Sequence, residues 1–177
     1  HICMALRQIL IEPNKILREK SQHVERVDPD LQKLMDDMLE TMYAAPGIGL
    51  AAIQVGVPKR IIVLDIDQKE GQKNPMCFVN PEIIEKSKNN LTYEEGCLSV
   101  PGQFAEIDRP DECHVKYLDY YGHQKEIKAK GMLATCIQHE IDHLEGILFI
   151  DYLSKLKKSM IIKKLSKQKK AIERIVV

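Results

Sequence analysis

Tryptophan is absent, and aromatic residues of all kinds make up only 5% of the 177 residues. Any core must therefore be aliphatic, filled by Ile, Leu, Val and Met. No apolar run approaches the roughly 20 residues of a membrane span, so no membrane partner is expected. No basic segment followed by an apolar stretch and a small-residue cleavage site marks a secretory leader. The five cysteines are an odd number. Without a leader they point to a reducing, cytoplasmic setting and not to a disulfide framework. Net charge is also absent, with 26 Lys+Arg against 26 Asp+Glu. That balance argues against a surface coated in nucleic acid, and DNA is not an expected partner. Internal repeats and low-complexity linkers are missing as well. Residues 1–3 precede Met4, which reads as a natural start, and they are set aside in reasoning about the fold.

What is present is ordinary for a globular chain: 44% hydrophobic and 29% charged residues. One domain of this size buries roughly two-thirds of its unfolded surface and needs no staples. The zero net charge hides an asymmetry. Residues 155–177 hold nine basic residues and one acidic, Glu173, a net of +8, and the rest carries −8. The expected organisation is a single catalytic domain over residues 4–153 followed by a basic helix over 154–177.

The spacing of apolar residues predicts a first helix over 28–45. Asp28 caps it, Pro29 suits its first position, and Leu31, Leu34, Met35, Met38, Leu39 and Met42 form the stripe. Pro46 and Gly47 end it. Strands are expected at 60–65, 77–79, 82–85, 112–118 and 124–129, with a turn at 69–74. The last two strands flank Asp119-Tyr120-Tyr121-Gly122, a hairpin turn. A second helix over about 132–145, with Met132, Cys136, Ile137, Ile141 and Leu144 on its apolar side, ends at Gly146. A third over about 154–170 starts at Ser154. The fold class is α+β, with mixed, largely antiparallel sheets around a central helix and a further C-terminal helix.

The central helix carries His139-Glu140-Ile141-Asp142-His143. Residues i and i+4 lie on one helix face, so two imidazoles can hold one metal ion while Glu140 stands beside its water as a general base. By chance such a string appears in a chain of this length on the order of one per cent of the time. A catalytic site of this type needs a third protein ligand. Glu145 points to another helix face, and Phe149 stands where a metzincin would place its third histidine. The ligand is expected from upstream. Cys97, in Glu94-Glu95-Gly96-Cys97-Leu98-Ser99, is the best candidate, because glycines around it permit a tight path near a metal. The usual fate of a free cysteine is burial in a core. Cys136, three residues before His139, is the other cysteine near the motif and is expected to wall the site. In Pro46-Gly47-Ile48-Gly49-Leu50-Ala51-Ala52-Ile53-Gln54, glycines permit close approach of a substrate backbone, and the Gln54 amide can stabilise an oxyanion. A flexible turn is the plainer reading of that segment.

Three of these segments together, Gly47-Ile48-Gly49-Leu50-Ala51-Ala52-Ile53-Gln54, Glu95-Gly96-Cys97-Leu98-Ser99 and Gln138-His139-Glu140-Ile141-Asp142-His143, resemble the motifs of the peptide deformylase family in order and separation. The resemblance runs from about Met4 to the end. It implies hydrolysis of the N-formyl group from the formyl-methionine of nascent chains, releasing formate. It implies that Cys97, His139 and His143 bind one divalent ion, Fe(II) natively, with Zn, Ni or Co possible in a purified sample. Hydroxide at the metal would be the nucleophile, Glu140 the general acid/base, and Gln54 with the Leu98 backbone N–H the oxyanion donors. It places the methionine pocket near Ile48, Glu95, Met132, Cys136 and His139, with the substrate strand passing Ile48, Gly49 and Gly96. Glu95 and Arg109 are expected to pair behind the pocket, unless Arg109 is a plain surface charge. Asp142 is expected to support a ligating histidine or to form a salt bridge.

The tail admits two readings. Leu156, Met160, Leu165 and Ile172 could dock on the body while Lys157, Lys158, Lys163, Lys164, Lys167, Lys169, Lys170 and Arg174 face water. The lysine face is then either simply solvated or, as the resemblance implies, a ribosome contact. Two rivals to the enzymatic reading remain at this level. One is a metallopeptidase built on the same helix. The other is a structural metal site closed by a fourth protein ligand such as Cys113 or Cys136.

Overall fold

A computed structural model describes residues 5–69 and 71–176, with side chains as far as residue 169. The first helix, α1 (Pro29–Ala44), starts where its cap predicts: the Asp28 carboxylate accepts a hydrogen bond from the Leu31 N–H at 2.9 Å. Such a cap stabilises a helix by about 1 kcal/mol. Leu31, Leu34, Met35, Met38 and Met42 are buried, and Leu39 packs beside them. They lie against Leu50 and Ala52, and against Ile61, Val63 and Val79 of the main sheet.

That sheet has five strands, all antiparallel, in the order β1 (Gly49–Ala51), β2 (Ile61–Leu64), β3 (Met76–Lys86), β6 (Glu112–Leu118) and β7 (Gln124–Lys130). β1 is an edge strand, an arrangement that leaves one row of its backbone groups free of the ladder. The two short strands expected at 77–79 and 82–85 are one continuous β3. Asn80 takes a positive φ of 52°, and its side chain bonds both the N–H and the C=O of Val24. The register shifts there, so Pro81 sits in a bulge and the ladder resumes beyond it. β4 (Asn90–Cys97) and β5 (Val100–Pro110) form a separate antiparallel ribbon. No strand is predicted there from the sequence: burial alternates over 103–109, but the inward positions are Gln103, Ala105, Ile107 and Arg109, so no apolar alternation marks it.

The central helix, α2 (Gly131–Leu144), packs Ala134, Ile137 and Leu144 on the second face of the main sheet, against Ile62, Leu64, Phe78 and Val115. Of its expected apolar side, Met132 is instead 46% exposed. A third cluster joins Val100 and Ile107 of β5 to Leu17, Leu148, Phe149, Ile150 and Leu165. Leu165 belongs to α3 (Lys155–Val176), whose first turn is capped by the Ser154 hydroxyl at 3.3 Å from Lys157 N. The docking face of α3 differs from the expected stripe. Ile161, Ile162 and Leu165 face the body, whereas Leu156 and Met160 are 72% and 60% exposed. The helical phase set by burying Leu165 and pairing Lys158 with Asp151, at 2.7 Å, turns Leu156 and Met160 outward. Ile172, Lys170 and Arg174 lie outside the described side chains. Among the described residues, no helix is long and apolar enough to cross a membrane.

Candidate metal centre and its cleft

Two pieces of chain meet at the site. α2 carries His139 and His143 one turn apart, with ring centroids 5.2 Å from each other. The β4–β5 ribbon ends its first strand at Cys97, whose Sγ lies 3.3 Å from His143 Nε2. One donor atom from each of Cys97, His139 and His143 falls within 4.8 Å of the others, and no fourth Cys, His, Asp or Glu joins them among the described residues. A thiolate with two buried imidazoles suits a borderline divalent ion, and three protein ligands leave a coordination position open. Cys113 and Cys136 are outside the cluster, which removes the closed structural site from consideration.

Glu140 is buried at the inner end of the cleft, its Oε1 3.9 Å from His139 Nε2. Its Oε2 has no hydrogen-bond partner among the described residues. Burial pushes its pKa up to about 7; the cationic form of His139 opposes the rise and the Glu95 carboxylate reinforces it. A proton acceptor tuned near neutrality is what general acid–base chemistry uses. Gly49 makes room for it. A Cβ at that position would lie 2.8 Å from Glu140 Oε1 and 2.9 Å from Leu64 Cδ2. β1 then runs into a short 3-10 turn, Ala52–Val55, that presents Gln54. The Gln54 side-chain oxygen Oε1 accepts from Ala51 N at 2.9 Å, which aims the Nε2 amide at Ser99 Oγ, 3.0 Å, and at Cys97 Sγ, 3.5 Å.

A charged chain supports the imidazoles from behind. His139 Nδ1 lies 2.9 Å from Glu95 Oε1. Arg109 donates to both Glu95 oxygens, at 2.7 and 3.0 Å, and through its third nitrogen to Asp142, at 2.9 Å. Asp142 in turn accepts from the Tyr152 hydroxyl at 2.6 Å. Burial alone would raise the Glu95 pKa, but the bonds from His139 and Arg109 hold it below the ordinary carboxylate range. Burial likewise opposes the His139 charge, yet the Cys97 thiol and Glu95 raise its pKa on balance. His143 is lowered by burial and by the positive charge of His139 and Arg109. One imidazole is thus anchored by an anion and the other is kept neutral.

A cleft of about 730 Å³ opens beside these groups. It brings together Ile48, Gly49, Gly96, Met132 and Cys136 with Gln54, Cys97, Leu98, His139 and Glu140. Glu95 also borders it, but both of its oxygens are engaged, so it braces His139. Arg109 is 5% exposed and is no surface charge. Asp142 reaches Arg109 and not a histidine, which gives it the salt-bridge role. Burial, then the nearby Glu140 and Glu95 carboxylates, pushes the Cys136 thiol up to about 12, so it walls the cleft as a neutral group. Three residues have no assigned role from the sequence: Ser99, which fixes Gln54; Tyr152, which fixes Asp142; and Phe104, on the rim. Ser99 stands inside a quoted motif, while Tyr152 and Phe104 carry no local signal.

The family model for polypeptide deformylase matches residues 6–159. The peptide deformylase of Pelagibacter ubique is 68% identical over 176 residues, covering 98% of this chain and all of that protein. A crystal structure of peptide deformylase from Ehrlichia chaffeensis superposes with a TM-score of 0.89 at 46% identity, covering 94% of this chain and 98% of that one. A second structure of the Ehrlichia chaffeensis enzyme, in complex with actinonin, gives 0.88 at 48% identity, covering 93% of this chain and 98% of that one. With the cluster of three possible metal donors and the buried carboxylate beside it, these matches establish that the chain belongs to the peptide deformylase family of metal-dependent amidohydrolases, which free nascent chains of their N-formyl group.

Proposed function

We propose that Cys97, His139 and His143 hold Fe(II) in the cell and accept Zn, Ni or Co during purification, and that Glu140 is the proton carrier of formyl hydrolysis. The observation that carries this reading is the buried Glu140 carboxylate, facing the cleft beside a cluster of three donors with no fourth among the described residues. When bound, the ion supplies Lewis acidity that makes water reactive at neutral pH. Glu140 accepts a proton as water adds to the formyl carbon. The Gln54 amide and the Leu98 N–H donate to the formyl oxygen as it gains charge, each worth about 3 kcal/mol at the transition state. Glu140 returns the proton to the departing nitrogen as the C–N bond breaks, giving formate and a free amine.

The methionine side chain enters the cleft beside Met132, Cys136 and His139. The substrate backbone adds to the free edge of β1, past Ile48 and Gly49, and passes Gly96 on its other side. Backbone pairing tolerates varied downstream side chains. The working place is the cytoplasm, and the exposed lysines of α3 contact ribosomal RNA phosphates. Lys163, Lys164 and Lys167 are all exposed. Reversing their charge is expected to weaken ribosome association while sparing peptide turnover, whereas truncation at Ser154 also removes the buried Leu165. Equal ribosome binding by the charge-reversed variant rules the contact out.

The reaction is tested by formate release from formyl-Met-Ala-Ser and its acetyl analogue, using anaerobic, Fe(II)-loaded protein. Rapid release from the formyl peptide alone is expected. Equal turnover of both, or cleavage of internal bonds instead, contradicts the reading.

A further inference from the structure

Glu12 is 5% exposed, and nothing in the hydrolytic chemistry uses it. Its carboxylate meets the Arg18 guanidinium at 3.2 Å. A buried ion pair is a weak source of stability, because desolvation offsets most of the attraction. Its better-attested use is to fix one arrangement of the chain. The neighbours of this pair show what is fixed.

Arg18 closes a short 3-10 turn, Lys15–Arg18, set against the end of α2. Its backbone packs on Gly146, where a Cβ would collide with the Arg18 carbonyl oxygen. Its guanidinium reaches back to the Gly146 carbonyl at 3.3 Å and to Asp151 at 2.6 Å. Arg18 is therefore anchored at the end of α2 by contacts that do not involve Glu12.

Glu12 belongs to a strap, residues 10–12, that touches two functional turns at once. The Leu10 N–H donates to the Gln54 backbone oxygen at 2.7 Å, and the Glu12 N–H to the Ser99 backbone oxygen at 2.9 Å. One turn presents Gln54, and the other follows Cys97. The same turns meet through side chains, where Gln54 Nε2 lies 3.0 Å from Ser99 Oγ and 3.5 Å from Cys97 Sγ. The strap thus sets the backbone spacing on which the Gln54 amide depends.

We propose that Glu12 and Arg18 are positioning residues for the oxyanion donor: their pair holds the strap on Gln54 and Ser99 and so fixes the Gln54 amide beside Cys97. The proposal rests on the deformylase reading above and deepens it. The oxyanion forms only in the transition state, so a misplaced donor lowers kcat and spares KM.

The test measures kcat and KM for formyl-Met-Ala-Ser, per bound metal, in the parent, Glu12→Ala, Glu12→Gln, Arg18→Lys, Gln54→Ala and the Glu12→Ala/Gln54→Ala pair. Glu12→Ala leaves Arg18 its bonds to Asp151 and Gly146, so fold and metal are expected to persist. It is expected to lose about 10-fold in kcat, with KM within about twofold. Glu12→Gln still offers Arg18 an oxygen and is expected to keep most of the parent's kcat. Arg18→Lys lacks the fork that reaches several acceptors, and is expected to lose kcat as Glu12→Ala does. In the Gln54→Ala background, Glu12→Ala is expected to cost less than about twofold, because the donor it positions is gone. If Glu12→Ala does not fold, Arg18→Lys in the same two backgrounds completes the cycle. An equal kcat loss with and without Gln54, a loss confined to KM, or no loss overturns this proposal alone. A fully metallated parent that releases no formate overturns the deformylase reading and this proposal with it.

Discussion

The two pieces that meet at the metal centre are built in opposite ways. α2 is held on both sides: Ile137 and Leu144 are fully buried against the main sheet, and His139, Glu140 and His143 are buried on the facing side. The β4–β5 ribbon has only two strands, few buried side chains, and one face largely in water. An isolated pair of strands is marginal in water. The ribbon is kept in place by what lies behind it: Arg109 tying Glu95 to Asp142, and Val100 and Ile107 packed with Phe149 and Leu165. The helix thus provides the rigid half of the cradle, with both imidazoles and the Glu140 carboxylate. The ribbon provides the thiol, and it is expected to loosen without unfolding the helix.

That contrast can be broken in stages. Arg109→Ala is expected to have the largest effect on the ribbon. It leaves the buried Glu95 with His139 as its remaining partner and strips one of its oxygens of its charged donor, a loss of about 3 kcal/mol. Urea unfolding gives the stability change, and chelator-driven metal release should accelerate because Cys97 and His139 lose their common support. Unchanged release kinetics would show that the ribbon holds without the arginine. Leu165→Ala comes next, at about 2–3 kcal/mol, because one buried leucine is emptied near a helix end that can partly close the gap. Hydrogen exchange should quicken across β4 and β5 and stay slow across α2; uniform quickening would contradict the separation of the two halves. Tyr152→Phe is the mildest. Asp142 keeps Arg109 when the hydroxyl is lost, so less than about 1 kcal/mol is expected, with metal content unchanged.

The same contrast explains what the sequence makes legible. α2 is readable because its periodicity and its His-Glu-x-x-His spacing report one geometry twice. α1 is readable from Asp28, Pro29 and its stripe of Leu and Met. The ribbon escapes because polar residues such as Glu95, Gln103 and Arg109 fill its inward positions, so no apolar alternation marks it; its chemistry shows in Glu95-Gly96-Cys97, but not its strands. β3 reads as two pieces because a bulge around Asn80 and Pro81 is set by a contact with Val24, 56 residues away. The phase of α3 is missed for a related reason: Leu156 and Leu165 are equally apolar, and only the shape of the body decides which is buried. The role of Tyr152 comes from contacts made across the fold, and it stands in no motif.

The central claim is that a buried carboxylate on the rigid half carries the proton while the three donors hold the ion independently of it. The most direct measurement is formate release against pH for the parent and Glu140→Gln, each loaded to the same metal stoichiometry. A base must be deprotonated to act, so the parent's rate falls as pH drops through the pKa of Glu140. The metal-free value of about 7 is an upper bound, because a bound cation favours the carboxylate. The account predicts that Glu140→Gln keeps its metal, loses about 10²–10⁴-fold in kcat and no longer shows that acid limb. A fully metallated Glu140→Gln that hydrolyses formyl peptide at the parent's rate, with the same acid limb, would contradict it.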